Sequence, residues 1–181
     1  AKSDLFSAFM LRNLDLTNEN GLTGHMTPFV WMFISSYEEL RKEIIDNHFI
    51  NNLIQLEYSG FDGATVPICT FTFRNKPVKD GRGSYIRLSD FKRAKVQEPK
   101  TIEAIQNPNC GWFYTTDQKD FEKMSGAPLG FWLSHSMISS FQNPELNVIG
   151  EPRQGLATGD NNHFLRTWQE VQLDMTPLRN I

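Results

Sequence analysis

Cysteine is scarce in this sequence. Cys69 and Cys110 stand alone, without a second pair or C-x-x-C spacing, so neither a disulfide framework nor a zinc site is suggested. Two isolated thiols fit a reducing, intracellular compartment. Long apolar runs are missing as well. No stretch approaches the ~18 to 20 residues of a membrane-crossing helix, and the opening AKSDLFSAFM lacks the charged-then-apolar order of a signal peptide, so no membrane partner is expected. The four histidines show neither H-x-x-x-H spacing nor a Ser-His-Asp order, which sets metalloenzyme and hydrolase chemistry aside; no metal is expected. Internal repeats and low-complexity tracts are absent. Net positive charge is also lacking: the formal charge of −3 argues, over the whole chain, against a nucleic-acid partner.

That average conceals an asymmetry. Between Arg74 and Lys100 nine basic residues stand against three acidic ones, a local +6 that leaves −9 for the rest. A stretch of this kind is either a solvated face or a phosphate-contacting segment, and charge alone does not choose between them. Lys92, Arg93 and Lys95 within it are the candidate phosphate contacts.

With 181 residues, 39% of them hydrophobic, the chain can hold one ordinary domain or two small ones with a real core. Leu5, Phe6, Phe9, Met10 and Leu14 fall at helical spacing over 4–16, and Glu19-Asn20-Gly21 supplies a stop. A short strand over Leu22–Met26 breaks at Thr27-Pro28. Ser35 and Ser36 precede Glu38 and Glu39 in overlapping capping boxes that open a helix running to about Asp46. Phe49–Tyr58 and Val66–Phe73 read as strands joined by a glycine-bounded loop. Apolar strands alternating with helices imply an α/β class, part of an open, mostly parallel sheet, with the last two strands antiparallel at one edge. An incomplete sheet of this kind exposes an edge through which two copies could associate.

From Asn75 to Pro108 the composition turns basic and polar. Pro77, Gly81, Gly83, Pro99 and Pro108 suggest a linker with one strand around Ser84–Leu88. The expected division is therefore 1–75, a linker over 76–108, and a more α+β second part over 109–181. In that part Cys110–Tyr114 and Leu129–Leu133 look like strands and Ser134–Phe141 a helix that Asn143-Pro144 ends.

Three segments carry a family resemblance, and their order matters as much as their wording. Asp4-Leu5-Phe6-Ser7-Ala8-Phe9 is similar to a D-L-Y-x-A-F helix, and GLTGHMTPFVW over 21–31, followed by YEELR over 37–41, to a strand, T-P loop and helix. Phe61 to Thr70 resembles F-x-x-A-x-V-x-x-C, and a further cluster, QGLATGDNNHF over 154–164, resembles Q-G-L-x-T-G-x-N-x-x-F. Asp120 to Lys123 and Leu129 to Trp132 match the segment before that cluster. Together they resemble adenine-specific DNA methyltransferases of the restriction-modification and BREX phage-defence type, the TaqI-like group, from the late methyltransferase motifs into the start of the target-recognition domain. The resemblance implies a partial Rossmann-like methyltransferase sheet over 1–75 and the start of an α+β target-recognition domain over 109–181.

It also implies roles. The exocyclic nitrogen of adenine is paired inside the duplex, so the base must be flipped out and restacked. The resemblance gives the stacking to Phe61, where the plain structural reading is a plug at the sheet edge. Pro28 would shape the target-base pocket, and Leu5 and Phe9, one helical turn apart, would face the adenine ring of S-adenosylmethionine. Arg153, Gly155, Thr158, Asn161 and Asn162 would touch DNA, or else form an ordinary Asx-type turn. The sequence departs from the family in lacking N-P-P-Y and the F-x-G-x-G turn, and His25 stands where an apolar residue is usual. The implied activity, transfer of a methyl group from S-adenosylmethionine to the adenine amino nitrogen of duplex DNA, belongs to a parent protein, and the fragment alone is expected to be inactive. Its partners would be double-stranded DNA and restriction or phage-defence subunits in a bacterial cytoplasm. A non-catalytic DNA-recognition module, like a restriction specificity subunit, is the alternative; the Q-G-L-x-T-G segment fits it and the D-L-x-x-A-F segment does not.

Overall fold

In the computed structural model the described residues are 4–63, 66–144, 146–151, 159, 163 and 165. The chain divides into two units, Ala1–Asn143 and Pro144–Ile181. In the second, the described secondary structure is a short helix, Leu146–Ile149. All the other elements belong to the first.

Helix α1 (Leu5–Leu16) buries Ser7, Met10 and Leu14, the i, i+3, i+7 set of one helical face. It leads into β1 (Leu22–Pro28), after which Phe29–Met32 and Ser35–Tyr37 form 3₁₀ turns ahead of α2 (Glu38–Asn47). The expected capping boxes do not form. Ser35 and Ser36 are taken into the second 3₁₀ turn, Tyr37 occupies the N-cap without a side-chain capping bond, and Glu38 and Glu39 favour the helix start through its dipole instead.

Strands β2 (Phe49–Gln55) and β3 (Ile68–Arg74) pair antiparallel, as the sequence implies. They are not at an edge. The sheet runs β1-β3-β2, then β4 (Arg82–Arg87) and β5 (Phe113–Asp117), so β3 lies between β1 and β2 and is antiparallel to both. A helix about 10 Å across covers two strand spacings of about 4.8 Å, so the β1–α2–β2 crossover leaves a slot that β3 fills. Among the described residues β1 and β5 are the two edges.

The alternation of β3 sends Cys69, Phe71 and Phe73 to one face. There they pack with Met10, Trp31, Ile44, Leu53, Tyr85 and Phe131 into the main core. On the opposite face a smaller cluster of Leu56, Ile86, Leu88 and Ala104 lies beneath α3 (Ala94–Gln106).

The expected linker over 76–108 is therefore part of the fold. β4 pairs parallel with β2 and antiparallel with β5, and α3 covers them. The punctuating residues have local explanations. At Gly83 a Cβ would stand 2.4 Å from the Ile50 carbonyl oxygen, so close strand approach requires glycine. Pro99 sits inside α3 on its exposed side, where water can satisfy the carbonyl that loses its donor. Basic residues are also used structurally: Arg87 lies 4.6 Å over Trp132, and Lys100 lies 4.6 Å over Trp112 and 5.0 Å over Phe91.

The boundary expected before residue 109 disappears for the same reason. Gln118, in a 3₁₀ turn over Gln118–Lys123, accepts from Ile50 N–H at 2.9 Å and donates to the carbonyls of Ile45 and His48. Arg41 on α2 donates to the carbonyls of Trp31, Ile34 and Gly126. Leu129–Leu133 is irregular and not the expected strand. Pro128 and Gly130 interrupt any ladder, although Leu129 and Phe131 belong to the core. The helix expected after it is α4 (His135–Ser140), capped by the Ser134 hydroxyl. No helix among the described residues is long and apolar enough to cross a membrane.

The packing can be tested at two places. Arg41→Leu removes a buried guanidinium and takes away the donor to the Trp31 and Gly126 carbonyls, so it should cost roughly 3 kcal/mol in urea unfolding. A loss below about 1 kcal/mol would show that the bonds are dispensable. The second test concerns pH. Burial holds His25 below its ordinary pKa, and at His48 burial outweighs the nearby Glu43 carboxylate with the same result. The unfolded chain takes up these protons near pH 6.5, before the folded chain does, so this stability is full above about pH 6.5 and is lost as pH falls toward the folded values. His25→Leu should flatten that decline between about pH 7 and 5, and an identical decline in both proteins would refute the assignment.

Candidate functional site

β1 and β2 are both antiparallel to β3, and β2 is parallel to β4, so the carboxyl ends of β1, β2 and β4 lie at one end of the sheet. Open α/β sheets bind ligands at such an end. Pro28 closes β1 there, half-buried and in register with Ile68, and Phe29 N–H donates to the Pro67 carbonyl at 3.1 Å. The loop carrying Phe61 leaves β2 at this end and returns into β3. Helix α1 starts here too: Tyr37, beyond the end of β1, donates its hydroxyl to Asp4 Oδ2 at 2.5 Å and packs its ring 5.7 Å from Phe6. The other end of α1 is fixed by Asn75, which donates to the carbonyls of Leu14 and Thr17.

Leu5 and Phe9 do not join the core. They are 73% and 56% exposed, on the outer side of a helix whose inner side holds Met10 and Leu14. Phe61 is also exposed, at 45%. Its ring borders an open groove of about 620 Å³ between the loop, α3 and the less-covered face of the sheet, with Met26, Ile54, Thr70 and Ile102 among the lining residues. Asp62 and Glu98 also line it, so this groove repels phosphate.

The basic candidates arrive at the same end through β4. Leu88 N–H donates to the Gln55 carbonyl at 2.9 Å, and Lys92, Arg93 and Lys95 follow, all exposed, at the entry to α3. Arg93 is the N-cap of that helix with φ 79° and ψ 141°, a conformation that strains a residue with a side chain. The Glu57 carboxylate is held below its ordinary range by the Ser59 hydroxyl first, against slight desolvation, and then by backbone N–H groups that include that of Arg93. Gln97 completes the connection. It is 5% exposed, accepts from Glu57 N–H at 3.1 Å and donates to the carbonyls of Phe91 and Arg93.

Leu5, Phe9, Pro28, Phe61, Lys92, Arg93 and Lys95 are thus carried by elements that meet at, or start from, one end of the sheet. Arg153, Gly155, Thr158, Asn161 and Asn162 lie outside the described residues. Gln97 is missed by sequence reasoning, because its partners are remote in the chain and no local pattern marks them. Among the described residues no three or more His, Cys, Asp or Glu side chains gather as metal ligands. A second, polar hollow of about 430 Å³ beside β5, with Arg82, Asp117, Asp120 and His135 in its lining, holds none of the expected residues.

A mixed sheet in which β3 is inserted antiparallel between two parallel strands is a methyltransferase-like α/β fold. The type I restriction-modification system methyltransferase subunit from Streptococcus thermophilus shares it, with a TM-score of 0.56 at 17% identity over 72% of this chain and 30% of that one. Residues 1–61 match the family model of the Eco57I restriction-modification methylases. The chain is 36% identical over 176 residues, 95% of its length, to the adenine-specific methyltransferase PglX of Lacticaseibacillus casei (strain Zhang). It is 32% identical over 179 residues, 96% of its length, to the adenine-specific methyltransferase BrxX of Escherichia coli O9:H4 (strain HS). The chain is therefore a homologue of adenine-specific methyltransferases of the restriction-modification kind, and it spans 15% and 14% of the lengths of these two relatives.

Cys69 provides a check on the packing at this end. Burial pushes its thiol up to about 11, while Cys110 is only half-buried. In the folded chain a thiol reagent near pH 8 should modify Cys110 and spare Cys69 until denaturant is added. Two fast-reacting thiols would contradict the packing of β3.

Proposed function

We propose that the chain is part of a site-specific DNA methyltransferase that moves a methyl group from S-adenosylmethionine to the amino nitrogen of adenine in duplex DNA. The observation that carries this reading is the convergence of apolar, aromatic and basic residues on one end of the sheet, in a chain homologous to adenine-specific methyltransferases. Phe61, open and on a loop, stacks on the flipped base; Pro28 borders the space that the base enters. Lys92, Arg93 and Lys95 lie on phosphates flanking the target.

The residues present fit S-adenosylmethionine in part. Leu5 and Phe9 are apolar, exposed and one turn apart on α1, as a wall against a purine ring requires. The group supplies the electrophilic methyl when bound, and these two residues orient its adenine end. No N-P-P-Y segment lies in the 181 residues, so the chain alone transfers no methyl group. The homologues named are methyltransferases, which disfavours a purely specificity-type module. Restriction or phage-defence subunits are its partners, the bacterial cytoplasm its compartment, and the β1 edge, unpaired among the described residues, takes a further strand or a second copy.

Fluorescence anisotropy with a labelled random-sequence duplex, across a salt series, tests the DNA face. Binding should weaken steeply with salt. Changing Lys92, Arg93 and Lys95 together to alanine should lower affinity and reduce the log–log salt slope by up to about 3. Absence of binding even at low salt would remove this surface from DNA recognition.

A further inference from the structure

Two irregular segments meet at the carboxyl end of the sheet: the loop after β2 that carries Phe61, and the connector after β4 that carries Lys92, Arg93 and Lys95. Each is polar, and each has backbone groups that neither sheet nor helix can pair. Between them lies the side chain of Gln97, 5% exposed and rooted in α3, where its own carbonyl accepts from the Thr101 hydroxyl at 2.8 Å. Its Oε1 accepts from Glu57 N–H at 3.1 Å; its Nε2 donates to Phe91 O and, at 3.4 Å, to Arg93 O. The partners fix its orientation, because an N–H must meet the oxygen and carbonyls must meet the nitrogen. A carboxamide supplies both in one buried side chain without charge. Gly60 matches it: a Cβ there would stand 2.8 Å from Gln97 Oε1 and 2.8 Å from Glu57 O, so the loop closes onto the carboxamide only with glycine.

We infer that Gln97 is a positioning residue which holds the Phe61 loop and the Lys92–Lys95 connector at a fixed separation. The role rests on the DNA reading above. In duplex DNA the flipped base and its flanking phosphates are covalently joined, so the groups that hold them must keep a matching separation. Gln97 touches neither base nor phosphate; it acts through the two segments. The strained backbone of Arg93 is tied in by one of these contacts, since its carbonyl accepts from Gln97 Nε2 at 3.4 Å.

The test compares the full chain with Gln97→Met, which keeps the length and removes every polar contact, and with Gln97→Glu. Hydrogen exchange should show the Glu57 amide and the amides of 59–62 and 89–93 accelerating together by about tenfold in Gln97→Met, with α2 and β3 unchanged. Affinity for the labelled duplex should fall by about tenfold with Lys92, Arg93 and Lys95 intact. Gln97→Glu should be as weak as Gln97→Met near pH 7.5 and partly recover as acidification protonates the introduced carboxyl, which can then donate to a carbonyl; loss of packing alone would show no such recovery. If Gln97→Met does not fold, this pH profile of Gln97→Glu decides. Acceleration confined to one segment, wild-type exchange in Gln97→Met, or no recovery in Gln97→Glu overturns the inference. A wild-type chain that does not bind duplex, in which the two segments still loosen together, overturns the DNA reading and leaves the strut supported.

Discussion

The guanidinium of Arg41 is sealed from water, and the only way to hold a charged, five-donor group there is to surround it with acceptors. Those acceptors are backbone carbonyls from the turns after β1 and from Gly126, 85 residues further along the chain. Gln118 repeats the arrangement with the α2–β2 junction, again far away in sequence. A buried polar group left without partners costs so much that each of these side chains fixes where its partner segments must lie. The rest of the first unit depends on them. They dock the region after β5 onto α2, which places Phe121, Leu129 and Phe131 over the same face as Phe71 and Phe73 and closes the main core.

With that face closed, the working end of the sheet has a rigid base. Cys69, Phe71 and Phe73 anchor β3, β3 separates β1 from β2, and the loops after β1, β2 and β4 emerge side by side. Leu5 and Phe9 on α1, and Phe61 on its loop, are exposed on an otherwise well-packed frame. Buried polar contacts keep the openness from becoming disorder. Gln97 does for the working end what Arg41 and Gln118 do for the core: it replaces missing secondary-structure bonds with side-chain ones.

Much of this was legible in the sequence. The i, i+3, i+7 burial of α1, the alternation of β3, the helix ending near Asp46 and the Ser134-capped helix all follow from periods that a window of about ten residues contains. Leu5, Pro28 and Phe61 are singled out by motif order and resemblance, and the basic cluster by local charge, rather than by periodicity. A linker over 76–108 does not exist, because proline and glycine mark turns only when nothing else explains them. At Gly83 the explanation is a strand pressed against Ile50, and at Pro99 an exposed helical face.

The sequence by itself therefore determined which segments could be helix or strand and which faces would be apolar, because those properties are set by neighbours within a turn or two, and the order of its motifs along the chain pointed to the family. Tertiary structure alone decided that β3 stands between β1 and β2, that residues 76–143 belong with the first strands, and that Gln97 reaches Glu57. The last two involve part-buried hydrogen bonds between residues 40 to 85 positions apart, which form only once the chain has brought those residues together.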